Sequence, residues 1–133
     1  MIKKVSHIGI AVNSIEESLK LYTETLGLKL KGIEVVADQK VRIAIIPVGN
    51  TRIELLESTD PEGPIAKHIK NRGEGLHHVA LEVEGIEGML EGLEKKEVPL
   101  IDEKPRIGAE GAKIAFLHPK ATKALIELVE PME

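Results

Sequence analysis

The chain writes one pattern twice, 71 residues apart. Residues 6–15 read "SHIGIAVNSI" and residues 77–86 read "HHVALEVEGI". In each, a histidine opens an alternating apolar run, a short polar turn follows, and a helix-like stretch begins. A repeat of this kind requires a fold built from two like modules. The period of two puts Ile8, Ile10 and Val12 on one face of a strand and His7, Gly9 and Ala11 on the other. The second copy divides the same way, with Val79, Leu81 and Val83 opposing His78, Ala80 and Glu82. The small residues beside each histidine leave room in front of the sheet.

Helices are expected after both strands. Asn13 or Ser14 suits the cap of the first, Glu16 and Glu17 suit its positive end, and Ile15, Leu19, Tyr22 and Leu26 form its apolar stripe, closed by Gly27. Ile86, Leu90 and Leu93 form the second stripe, interrupted by Gly88 and Gly92. The later halves repeat as well. "RIAIIPVGNTRIELLE" (42–57) matches "KIAFLHPKATKALIELVE" (113–130). Arg42 and Lys113 keep the offset, and a turn longer by two residues then brings Glu54 onto Glu127. Each module therefore predicts strand, helix and three strands, an α+β pattern, with a hairpin turn at Gly49-Asn50. The expected organisation is a single domain over 1–133, with an N-terminal module 1–58, a linker 59–74 in which Pro64 opens a short helix, and a C-terminal module 75–133.

The chain has no cysteine, so disulfides, thiolate metal sites and cysteine nucleophiles are excluded. Tyr22 and Phe116 are the only aromatics and the net charge is −4, which argues against a nucleic-acid partner. No run reaches the length of a membrane span and "MIKKVSHIG" has no signal-peptide core, so no membrane partner and a cytoplasmic location are the expectation.

Four residues stand out. Glu54 lies between Ile53 and Leu55, and Glu127 between Ile126 and Leu128. One strand glutamate alone reads as a solvated position, and one strand histidine alone as a packed or hydrogen-bonded residue. Their occurrence at matching places in both copies changes that reading. If the two modules pair with pseudo-twofold symmetry, His7, Glu54, His78 and Glu127 converge. Two imidazoles and two carboxylates suit a divalent ion: Co²⁺, Mn²⁺, Ni²⁺, Fe²⁺ or Zn²⁺, with Mg²⁺ the harder alternative. His77 points away from His78 and reads as packing, His68 as an exposed residue of the linker helix, and His118 as a turn residue or a substrate contact. "EKPRIGAEG" (103–111) is a loop with a basic core, Lys104 and Arg106, suited to clamping an anion.

These residues carry a resemblance. "HIGIAV", "GNTRIELLES", "GPIAKHI", "GEGLHHVALEV" and "RIGAEGAKIAFLHPK" through "LIELVE" resemble the vicinal-oxygen-chelate superfamily, and within it the methylmalonyl-CoA epimerase family, over essentially the whole chain. The resemblance implies paired βαβββ modules in a curved mixed sheet around a metal, with Co²⁺ first among the ions, and a homodimer acting on a CoA thioester. It implies the ligand set His7, Glu54, His78 and Glu127; some members have Gln at the position of Glu54. The implied reaction interconverts (R)- and (S)-methylmalonyl-CoA, with Glu127 as a catalytic base. Gln39, Lys104, Arg106, His118 and Lys120 are the expected substrate contacts. Several members carry a glutamate, proposed as a second base, where this chain has Ile43. The rivals are a lactoylglutathione lyase, an extradiol dioxygenase and a non-enzymatic drug-binding protein of the same fold. The double histidine and "HPKATK" favour the epimerase over the lyase. The dioxygenase chain is usually much longer, and drug binding usually relies on aromatics.

Overall fold

A computed structural model describes residues 1–132. The fold is α+β, and both repeats take the expected order. The first runs β1 (Ile2–Ala11), α1 (Ile15–Lys20), β2 (Gly32–Val36), β3 (Val41–Val48) and β4 (Thr51–Ser58). After α2 (Pro64–Arg72), the second runs β5 (Gly75–Val83), α3 (Ile86–Lys95), β6 (Arg106–Ile107), β7 (Lys113–Leu117), the short α4 (Pro119–Thr122) and β8 (Ile126–Glu130). The two-residue β6 lies in the stretch 103–111 that the sequence marks as a loop.

The chain forms two compact units, residues 7–77 and residues 1–6 with 78–132; β1 and β5 each change unit part-way along. In the unit 7–77 the strands are ordered β2-β3-β4-β1. The hairpin β3–β4 is antiparallel and closes from Val48 to Thr51 across Gly49-Asn50, with Gly49 at φ 59°. β1 runs parallel to β4 with Gly9 opposite Glu54. In the other unit β5 runs parallel to β8 with Ala80 opposite Glu127, and β7 and β6 follow antiparallel.

Alternation assigns the faces. Val12, Ile15, Ala44, Ile46 and Leu55 form one core cluster with Leu19, Tyr22 and Leu28 against it. Val83, Ile86, Leu90, Ala115, Leu117 and Leu128 form the matching cluster under α3. Each helix therefore packs on the face opposite His7 and Glu54, or His78 and Glu127. One stripe residue departs from expectation: Leu26 is 58% exposed. α1 widens into a π-helical turn at Leu21–Thr25, where Leu26 N donates to Leu21 O at 2.9 Å, and the change of phase carries Leu26 off the stripe.

The helix starts repeat too. Glu57 Oε1 accepts the Ile15 N–H at 2.9 Å, and Ser14 Oγ accepts that of Glu17 at 3.2 Å. Glu130, the counterpart of Glu57, accepts the N–H groups of Gly85 at 3.0 Å and Ile86 at 3.1 Å. These two backbone donors hold the Glu130 carboxyl below its ordinary pKa. The ion pair Arg42–Glu16 at 2.8 Å recurs as Lys113–Glu87 at 2.7 Å, with the same offset of 71.

Candidate metal centre

The register places one histidine and one glutamate together in each unit. In the unit 7–77, His7 on β1 and Glu54 on β4 point to the same face, and His7 Nε2 stands 3.4 Å from Glu54 Oε1. In the other unit, His78 on β5 and Glu127 on β8 do the same, with His78 Nε2 2.9 Å from Glu127 Oε1. All four side chains are buried: Glu54 is 2% exposed, His7 and Glu127 5%, and His78 6%. The solvated-face reading of the two glutamates therefore does not hold. Burying a carboxylate is costly unless a cation or donor compensates it.

Each pair suits a borderline divalent ion. Metal–ligand bonds of about 2.1 Å put neighbouring donors about 3.0 Å apart in an octahedron and about 3.4 Å apart in a tetrahedron. The nitrogen–oxygen separations of 2.9 and 3.4 Å fall on those two values.

The neighbours of the two pairs differ. Arg52, two residues before Glu54 and so on the same face of β4, places Nε 2.9 Å from Glu54 Oε2. Beside the other pair lies Phe116, which is directly opposite Glu127 across β7–β8. Its ring meets that of His78 edge-to-face with centroids 5.7 Å apart. The Arg106 guanidinium lies 5.9 Å from the Phe116 centroid and is anchored by Asp102 Oδ1 at 3.0 Å. Sequence reasoning did not single out Arg52 or Asp102, and it noted Phe116 only as one of two aromatics. The i−2 spacing of Arg52 was a readable signal; the place of Phe116 needs the strand register.

The remaining expected contacts are dispersed. Gln39 closes the 3₁₀ turn between β2 and β3, and its buried Nε2 has no hydrogen-bond partner among the described residues. Lys104 and Lys120 are exposed. His118 is exposed at the N-cap of α4, where Nδ1 accepts the Lys120 N–H at 3.0 Å, as its turn reading expects. Ile43 is buried on β3, two residues from Ile45, the cross-strand partner of Glu54. His68 is half-buried rather than exposed, because its ring packs edge-on against His77 with centroids 4.8 Å apart. Burial and the nearby Arg72 charge lower its pKa.

Residues 6–116 match the Glyoxalase/Bleomycin resistance protein/Dioxygenase superfamily, and the chain belongs to it. It is 40% identical over 129 residues to the uncharacterised protein YqjC of Bacillus subtilis, covering 96% of this chain and 92% of that one. It is 35% identical over 122 residues to the ethylmalonyl-CoA/methylmalonyl-CoA epimerase of Cereibacter sphaeroides, covering 90% and 91%. A variant of the Streptomyces coelicolor methylmalonyl-CoA epimerase, solved in complex with 2-nitronate-propionyl-CoA, superposes with a TM-score of 0.94 at 30% identity, covering 98% of this chain and 96% of that one. Among the described residues no helix is long and apolar enough to cross a membrane.

Proposed function

We propose that this protein is a metal-dependent epimerase that interconverts (R)- and (S)-methylmalonyl-CoA. The observation that carries the proposal is the pair of buried imidazole–carboxylate contacts at equivalent places in the two repeats, in a chain whose relatives include methylmalonyl-CoA epimerases. In this reading His7 with Glu54, and His78 with Glu127, supply ligands for a divalent ion, Co²⁺ first among the candidates. When bound, that ion supplies Lewis-acid stabilisation to negative charge developing on the thioester oxygen.

Glu127 takes the proton from C2 of the substrate through a carboxylate oxygen. Its buried setting beside Phe116 excludes water from the transfer. Proton delivery to the opposite face of C2 falls to a second group, which is not residue 43, because Ile43 has no exchangeable proton. Arg106, fixed by Asp102 and stacked over Phe116, is the basic residue placed to meet the anionic substrate. Gln39 offers a buried amide for a substrate acceptor, and Lys104, His118 and Lys120 stand as contacts for the CoA portion. The protein works as a homodimer in the cytoplasm.

The test is incubation of the purified, Co²⁺-loaded protein with (S)-methylmalonyl-CoA in D₂O. Deuterium should enter C2 and the (R) isomer should accumulate, both lost on chelation and restored by Co²⁺. Metal-bound protein that leaves the CoA thioester untouched, yet converts the glutathione hemithioacetal of methylglyoxal, would replace the epimerase reading with the lyase one. Sedimentation should give twice the chain mass of 14.5 kDa.

A further inference from the structure

We propose that Arg52 is a positioning residue that commits Glu54 to metal holding and so withdraws it from proton transfer. The inference rests on the metal-site reading above and deepens it. It starts from the division of the two oxygens of Glu54. Oε1 faces His7 Nε2 at 3.4 Å, and Oε2 faces Arg52 Nε at 2.9 Å. One oxygen thus faces the His7 imidazole while the other lies in ion-pair contact with a permanent cation. The Arg52 side chain is 22% exposed and that of Glu54 only 3%, so the guanidinium reaches inward from the hairpin end of β4 to a carboxylate that water does not serve. Under those conditions removal of the guanidinium leaves a buried charge uncompensated.

The repeat supplies the control. Because the second hairpin is longer by two residues, Glu54 corresponds to Glu127 at an offset of 73, and Arg52 corresponds to Leu125. The device therefore belongs to one half only. A carboxylate that shuttles a proton must turn one oxygen toward the substrate, and tying the far oxygen to a guanidinium opposes that rotation. Glu54 is tied in this way by Arg52, whereas the residue at the corresponding place beside Glu127 is an aliphatic one that carries no charge.

A substitution cycle on the full-length protein tests this. Wild type, R52M, E54Q and the double variant R52M/E54Q are titrated with Co²⁺ by calorimetry, and the apo proteins are melted by circular dichroism. If Arg52 acts by neutralising and orienting the Glu54 carboxylate, R52M weakens Co²⁺ binding at least tenfold and lowers the apo melting temperature. In the E54Q background, where there is no charge to neutralise, R52M changes affinity less than twofold and leaves the melt unchanged. R52K, which keeps the charge, recovers most of the affinity. Equal losses in both backgrounds, or no loss in either, overturn the proposal. Should R52M fail to fold, R52Q is run through the same cycle. The apo melts need neither metal nor substrate. A wild type that binds no Co²⁺ therefore defeats the metal-site reading and, with it, the metal-holding role, whereas an unequal pair of melts still establishes the neutralising contact by itself.

Discussion

His7 with Glu54 and His78 with Glu127 are one construction carried out twice, on a first strand and a last strand in parallel register, with Gly9 or Ala80 as the small residue opposite the glutamate. What surrounds them is not repeated. The first pair has Arg52 on its carboxylate and Ile45 across the strand. The second has Leu125 and Phe116 at the corresponding places. The donors are duplicated, and their neighbours have diverged. An ion pair suits a carboxylate that must stay where it is, and an aromatic wall suits one that must move a proton in the absence of water.

That contrast can be broken most directly at the glutamates. E127Q should lower C2 exchange by about 10² to 10⁴-fold, the range of general acid–base catalysis, while still binding Co²⁺. E54Q should lose only about tenfold, through weaker metal binding, because its amide oxygen still ligates. The histidines should behave alike: H7A and H78A should each weaken Co²⁺ affinity at least about tenfold, and a large inequality between them would refute the equivalence of the two pairs. F116L should sharpen the comparison with a smaller change, reducing kcat about three- to tenfold with little change in metal affinity, as loss of the aromatic wall admits water beside His78 and Glu127.

The smallest expected effect lies away from the metal, at the helix starts. α3 begins at Gly85 without a side-chain cap of its own and depends on Glu130, whereas α1 has both Ser14 and Glu57. E130A should lower the melting temperature by about 3 °C, the value of one lost helix cap in a chain of this size, and E57A by less. The folded-state pKa of Glu130 is depressed, so its contribution is present above the ordinary glutamate pKa and fades as pH falls through the folded value. The gap between wild type and E130A should therefore be widest near neutrality and close on acidification.

Much of this was legible in the sequence because both signals are local. Period-two alternation placed each histidine and glutamate on a face, and the offset of 71, becoming 73 after the longer hairpin, matched the copies. What could not be read depends on packing. No pattern in residues 15–26 announces the π-helical turn that carries Leu26 into solvent. His68 looks like any polar helix residue until His77 is found beside it. A strand face bearing Glu, His and Arg reads as solvated until the glutamates are found buried, and Phe116 faces Glu127 only once β7 is paired with β8. Arg52 was within reach of alternation, but a charge two residues after a hairpin turn reads as ordinary surface.

On the proposed function, the two glutamates divide the labour of metal holding and proton transfer. Single-turnover deuterium incorporation at C2, measured side by side for Co²⁺-loaded E54Q and E127Q at saturating metal, tests it most directly. E54Q should retain exchange within about tenfold of wild type while E127Q falls by at least about 10². The reverse order, or equal losses in two variants shown to hold the ion, would contradict it.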